Sequence, residues 1–404
     1  MDGMNRVIIV GAGIAGASAA EAIRKLDRDV EIILLSDELE MPYYRLSLTR
    51  YISGELKREN LFLHPEKWYQ DNRIDLRVGA AVLRVNVAEQ YVELLDGSKI
   101  KWNRLILSVG ASPFFPPIPG KEKNGIMAVR TLADADVLLQ RLHGRESCIC
   151  IGGGVLGLEV AEAIARRGVK VKLFEVAPWL MPRQLNPKAA AFLRKQVESL
   201  GIQVTEGALI REFVGNDACE GIRLADGELV KSDLVIVTAG IKPETQLARD
   251  AGISVTKGIV ADDRMASSAN GVLTAGDCAE HDGVLYGLWN AAQLQGRIAG
   301  ENVAGVAARF EGIPLSVVLK VIGIDLFSIG EFMPKGDACK TFELEQEGKY
   351  YLFVTRDGHL AGSIIVGDRA MANRVKAAVD KHQSFPADDY GNVERFLKHF
   401  TQTV

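Results

Sequence analysis

The stretch Arg6-Val7-Ile8-Ile9-Val10-Gly11-Ala12-Gly13-Ile14-Ala15-Gly16 decides the fold, because an apolar run feeds a Gly-x-Gly-x-x-Gly turn that opens a helix-forming segment. A short, continuously apolar run reads as a strand buried on both faces, the pattern of a parallel sheet. Gly11 permits the tight turn, Gly13 lets the backbone approach a pyrophosphate, and Gly16 lets the next helix sit close to the sheet. That helix, read over residues 17–23, aims its free N–H groups and the positive end of its dipole at the phosphates.

The pattern recurs. Cys148-Ile149-Cys150-Ile151 leads into Gly152-Gly153-Gly154-Val155-Leu156-Gly157 and a second helical segment at 159–166. The next strand, Val171-Lys172-Leu173-Phe174, ends in Glu175, about 20 residues beyond the turn, where a carboxylate takes a ribose 2′-hydroxyl. A 2′-phosphate would meet that negative charge, so NADH is expected over NADPH. Two fingerprints imply two bound dinucleotides.

At 404 residues and 48% hydrophobic content the chain can build two or three domains with their own cores. A net charge of −4 and a pI near 6.0 speak against a nucleic-acid binder. The five cysteines are scattered and form no Cys-x-x-Cys, which suits a reducing, cytoplasmic setting; Cys148 and Cys150 are expected to point apart and stay unpaired. The six histidines show no metal-ligand spacing, so no metal is expected. The apolar run 7–20 lacks a basic leader and is too short to span a bilayer.

Strand and helix patterns alternate from Arg6 to about Glu301, the signature of a doubly wound α/β architecture. Short β runs follow at 77–87 and 91–95, then a strand at 105–110 and a proline-rich crossover at 113–119. A second unit of the same plan closes with the strand 234–238, and 271–277 reads as a return to the first. The expected division is therefore 1–114 with 240–308 as one dinucleotide domain, 115–239 as a second inserted in it, and 309–404 as a small α+β domain.

With the two fingerprints, Ser108-Val109-Gly110 and Thr238-Ala239-Gly240 at the crossings, and Ala275-Gly276-Asp277, the whole chain resembles the two-dinucleotide flavoprotein reductases of the pyridine nucleotide-disulfide oxidoreductase superfamily. The resemblance implies FAD on the first fingerprint and NAD(P)H on the second, with Asp277 at the ribityl and pyrophosphate. Asp37-Glu38-Leu39-Glu40-Met41-Pro42-Tyr43-Tyr44-Arg45 is similar to the matching stretch of rubredoxin reductases, ring-hydroxylating ferredoxin reductases and apoptosis-inducing factor. It implies adenosine contacts from Asp37 and Glu38, and flavin-side contacts from Arg45 and from Arg50, where many relatives carry lysine. Arg130 matches a basic residue that reaches the FAD phosphates. Ala15, Val82, Gly110, Leu156, Arg183 and Gly240 are further cofactor contacts implied by the same likeness. Arg183-Gln184-Leu185, residues 319–324 and Gly367-Asp368 resemble the NADH:rubredoxin oxidoreductases and the flavin module of assimilatory nitrite reductases, a likeness that extends through the tail.

Such a site is implied to set the nicotinamide C4 against the flavin N5, the chemistry being supplied by the cofactors. Glu159 resembles the glutamate that pairs with the basic residue beside N5, so an orienting Arg50–Glu159 ion pair is expected. Relatives that reduce disulfides or form water carry a redox cysteine in the stretch matching 43–54. None stands here, so disulfide and persulfide substrates are not expected. The reading is an FAD-dependent NADH oxidoreductase exchanging electrons with a small iron or iron-sulfur carrier, rubredoxin or ferredoxin-like. Arg369, Arg374, Lys376 and Lys381, paired seven apart on a helix, would form a basic docking face. Alternatives are an electron-input subunit of the nitrite-reductase kind that needs a separate partner chain, an NADH oxidase or diaphorase, and a redox-sensing interaction protein. The direction of flow and assembly into a homo-oligomer stay open.

Overall fold

Two apolar strands, Arg6–Val10 and Ser147–Ile151, each occupy the centre of a five-stranded sheet whose pairings are all parallel. In the computed structural model, residues 5–313, 316–334, 339–346, 348–386, 389 and 392–401 are described, without the side chains of 316–321 and 401. The first sheet runs Val272–Thr274, Arg104–Leu107, Arg6–Val10, Glu31–Leu35 and Ile74–Arg77. The second runs Gln203–Glu206, Lys170–Glu175, Ser147–Ile151, Val235–Val237 and Ile126–Met127. Val272–Thr274 rejoins the first sheet only after the second is complete, so one sheet is inserted in the other. The two chain crossings, Ala111–Pro113 and Ile241–Pro243, pair antiparallel with one another.

Each unit also carries a three-stranded antiparallel meander: Val82–Asn86, Tyr91–Leu94 and Lys99–Lys101 in the first, Ile210–Val214, Gly221–Leu224 and Leu229–Lys231 in the second. The β run at 77–87 is therefore two strands. Its start belongs to the parallel sheet, its end to the meander, and Gly79 with φ +67° turns the chain between them.

The first fingerprint helix, Ile14–Leu26, packs against Trp289–Val303 across a face of alanine and glycine. A Cβ on Gly296 would lie 2.1 Å from the Ala15 carbonyl, so only glycine allows this approach. Arg24, 8% exposed, closes the far end by donating to the carbonyls of Asp27, Val30, Asn72 and Arg73 at 2.6–2.9 Å.

The tail forms an antiparallel sheet in the order Ser316–Val321, Ile324–Gly330, His359–Val366, Lys349–Arg356, Lys340–Gln346. Strand alternation sends Tyr350, Leu352, Ile364 and Val366 into one core with Leu193 and Val197 of the second unit's helix Pro187–Ser199. Phe327, Phe353 and Ile365 face the other way, onto the helices Arg369–Asp380 and Val393–Thr401.

Cys148 and Cys150 do not point apart. Residues two apart on a strand share a face, so both thiols enter one core, where the neighbouring thiol and burial push Cys150 well above the usual range. All five cysteines are free. Among the described residues no helix is long and apolar enough to cross a membrane.

Candidate functional site

The first cleft opens where strand Arg6–Val10 meets its helix. The Ser108 hydroxyl donates to the carbonyls of Val10 and Gly11 at 3.1 and 2.8 Å, and a Cβ on Gly16 would lie 2.0 Å from the Gly11 carbonyl. The helix starts at Gly13 without a side-chain cap, and a Cβ there would meet nothing within 4 Å. Uncapped N–H groups thus face open space, the arrangement that receives an anion. Beside it, Arg130 pairs with Asp277 at 2.7 Å, Gly110 with φ +72° lies against the same guanidinium, and the Gly276 N–H is held by Gln295 at 2.9 Å. Ala15 is buried in the first turn, and Val82 opens the neighbouring meander.

Glu38 accepts from the Tyr43 hydroxyl and from Arg45, both at 2.6 Å, and Arg45 also donates to the Arg130 carbonyl. Asp37 is exposed. An uncapped glycine helix start, two guanidinium groups and a half-buried carboxylate fit a pyrophosphate flanked by a ribose, and so fit FAD.

The second cleft repeats the geometry. A Cβ on Gly157 would lie 1.9 Å from the Gly152 carbonyl, and the helix Val155–Ala165 starts uncapped at Gly154, whose Cβ position is open. Glu175, 8% exposed, accepts from the N–H groups of Gly153 and Ala177 at 2.6 and 2.7 Å. A carboxylate has about four acceptor sites, so two remain for a ribose diol. Leu156 and Arg183 are exposed, and the Gly240 carbonyl, at φ +110°, takes the N–H of Phe114 at 2.9 Å.

The repeat is not identical. The Leu35 carbonyl takes the Gly11 N–H as the Phe174 carbonyl takes that of Gly152, so Ser36 stands where the second unit has Glu175. The acids of the first unit come one and two residues later. Counting from the glycines alone hides this shift; aligning the two strand ends exposes it.

Between the clefts, the short helix Leu48–Ser53 packs on Val155–Ala165. Here the expected Arg50–Glu159 pair is absent. Arg50 pairs with Glu55 at 2.9 Å, both about half exposed, where a guanidinium keeps most of its hydration. Glu159 instead takes the hydroxyl of buried Thr49 at 3.4 Å, and burial pushes its carboxyl up to about 7, with the Glu162 charge adding.

The basic docking face also changes. Arg374 donates to the Phe400 carbonyl at the end of the last helix, and Lys376 pairs with Asp380, so two of the four cations serve the tail's own packing. Arg369 and Lys381 are exposed. Among the described residues, Asp263, His281 and Asp282 bring three potential ligand atoms within 4.8 Å. Arg309 already sits on Asp263 at 3.3 Å and opposes a second cation there.

Residues 5–296 match the pyridine nucleotide-disulphide oxidoreductase family, and 316–383 match the rubredoxin NAD+ reductase C-terminal domain. The chain belongs to the pyridine nucleotide-disulphide oxidoreductase family. Proteins of this family related to the chain use FAD and NADH. The chain is 33% identical over 384 residues to a nitrite reductase [NAD(P)H] of Bacillus subtilis, a match that covers 94% of the chain but 48% of that protein. It is 28% identical over 394 residues to the NADH-rubredoxin oxidoreductase of Clostridium acetobutylicum, covering 98% and 99% of the two. It also superimposes on putidaredoxin reductase from a covalent complex with putidaredoxin, with a TM-score of 0.88, 25% identity and 98% of each chain. The chain thus spans about half the length of the Bacillus relative and almost all of the clostridial one.

Proposed function

We propose that the protein is an FAD-dependent NADH oxidoreductase that passes electrons between NAD(H) and a small iron or iron-sulfur carrier of the rubredoxin or ferredoxin type. The observation that carries this reading is the junction of the two clefts: 43–54 holds no cysteine, and the helix packed there brings only Thr49 to Glu159. FAD, when bound, takes two electrons as hydride from NADH and can release them one at a time. With no thiol in 43–54, a flavin bound here would itself supply the exit for the electrons.

The protein's own groups then bind and orient. The N–H groups from Gly13 to Gly16 and the Arg130 side chain hold the FAD pyrophosphate, Asp277 the ribityl and Glu38 the ribose. Gly154 and Glu175 hold NADH and disfavour a 2′-phosphate. Glu159, with its carboxyl pushed up to about 7, is poised to change its charge near neutrality beside the nicotinamide, where an ionised carboxylate favours the positive ring that hydride loss leaves. Units 1–114 with 240–308, 115–239 and 309–404 are proposed as the FAD, NADH and tail domains. Five free thiols favour a reducing, cytoplasmic compartment.

A second reading, an electron-input module for a separate nitrite-reducing chain, draws on the likeness to the Bacillus nitrite reductase. Anaerobic NADH consumption by the FAD-loaded protein with rubredoxin, with a ferredoxin and with no carrier, each repeated in air, tests the first. Fast carrier reduction with little oxygen uptake supports the reductase; fast oxygen uptake with inert carriers replaces it with an oxidase.

A further inference from the structure

The N–H groups at the start of the helix Leu132–Leu142 are capped from two directions. Thr131 and Asp134 form a local capping box, with the Asp134 N–H on the Thr131 hydroxyl at 3.1 Å and the Thr131 N–H on the Asp134 carboxylate at 2.8 Å. The Leu132 N–H goes elsewhere, to the hydroxyl of Tyr43 at 3.0 Å, 89 residues away in sequence. Tyr43 is 5% exposed, and its O–H donates onward to Glu38 at 2.6 Å. Arg45 runs parallel, donating to Glu38 and to the carbonyl of Arg130, while the Arg130 side chain holds Asp277. The helix leads by a short turn into Ser147–Ile151, the central strand of the NADH sheet.

We propose that Tyr43 is a positioning residue that relays FAD occupancy to the start of this helix, and through it to the mounting of the NADH-binding unit. The proposal rests on the reading that FAD lies against Glu38 and Asp277. Each Glu38 oxygen has one donor, so a ribose hydroxyl adds to the carboxylate without displacing Tyr43. The ribose of FAD then fixes Glu38 at one end, and its pyrophosphate and ribityl fix the Arg130–Asp277 pair at the other. Residues 130–132 hang between these two anchors, with Tyr43 and Arg45 as the links. Ordering the ligand orders the helix start, and by linkage a nicotinamide nucleotide bound beyond that helix tightens FAD by the same factor. A separate tie, the Tyr51 hydroxyl on Asp136 at 2.6 Å, holds the same helix through residues outside the FAD contacts. Loss of Tyr43's hydroxyl therefore leaves the helix docked.

The test is amide hydrogen exchange of the full chain, FAD-loaded and flavin-stripped, in the unmodified protein, Tyr43→Phe and Tyr51→Phe. In the unmodified protein FAD should slow exchange at Leu132 to Ala135 about fivefold or more. Tyr43→Phe should abolish that slowing while FAD still protects Ile14–Leu26, and should raise KM for NADH with little change in kcat. Tyr51→Phe should speed exchange equally with and without FAD, the behaviour of a merely structural contact. An undiminished FAD effect in Tyr43→Phe overturns the relay. If FAD fails to protect Ile14–Leu26 in the unmodified protein, the placement of FAD itself is wrong and the relay falls with it.

Discussion

Glu159 shows how one side chain's surroundings set its charge. Its carboxyl holds a proton up to about 7 when folded but ionises near 4.5 when free in solution. Between those values the folded state binds the extra proton, so stability falls as pH rises through the window. Glu159→Gln removes the titration. The variant should gain about 1–3 kcal/mol on the parent between pH 5 and pH 8, read from denaturant midpoints at the two pH values. A pH-independent difference would mean that the carboxyl ionises freely in place. The rate of flavin reduction by NADH should lose an inflection near neutrality in the same variant. Arg24 makes a different point: burial lowers its pKa, and its use is to satisfy four carbonyls at strand entries. Arg24→Ala should cost about 2–4 kcal/mol in urea unfolding, because buried carbonyls lose a charged donor that no short side chain replaces.

At the scale of elements, the glycine turns make separable predictions because the same substitution blocks different clefts. Gly16→Ala drives a Cβ to 2.0 Å from the Gly11 carbonyl, and Gly157→Ala to 1.9 Å from that of Gly152. The first should emerge with little bound flavin. The second should keep a full complement of FAD while KM for NADH rises about tenfold or more, a loss of roughly 1.4 kcal/mol or more in binding. Flavin-to-protein ratios and NADH saturation curves check both. These turns are legible in sequence because their requirements are local: where a Cβ would fall 1.9–2.0 Å from another residue's carbonyl oxygen, only glycine fits. The Arg50–Glu159 pair was not legible in the same way. A long exposed side chain chooses among several carboxylates, and Glu55, five residues on and in water, wins without any signature in the spacing. Tyr43 left no signal either, since its partners lie five and 89 residues away and only the folded crossover brings them together. Arg374 and Lys376 sit seven apart from their companions as the helix requires, yet their heads bend to the tail's own carbonyl and carboxylate.

At the scale of the whole molecule, one plan is used twice and then bound together by the tail. Sheet, meander and fingerprint repeat in both nucleotide units, which is why alternation along the chain predicted the α/β class and the insertion. How the tail would sit was hidden, because a five-stranded sheet with two apolar faces states that both are covered but not by what. One face turns out to share its core with the second unit. Tyr350, fully buried, bridges Asn186 at 2.6 Å and Glu343 at 2.7 Å, and Gln196 donates to the Ile322 carbonyl at 2.7 Å. A core in common makes the two parts one cooperative body. Leu352, 2% exposed at that contact, should lose about 2–5 kcal/mol on truncation to alanine. In calorimetry of the FAD-loaded protein, Leu352→Ala should lower a single transition that carries both the tail and the second unit. Amides of Pro187–Ser199, on the far side of the interface, should exchange faster in step with those of the tail strands. A tail that melts alone, with Pro187–Ser199 undisturbed, would show that the shared core is a contact surface and not a folding unit.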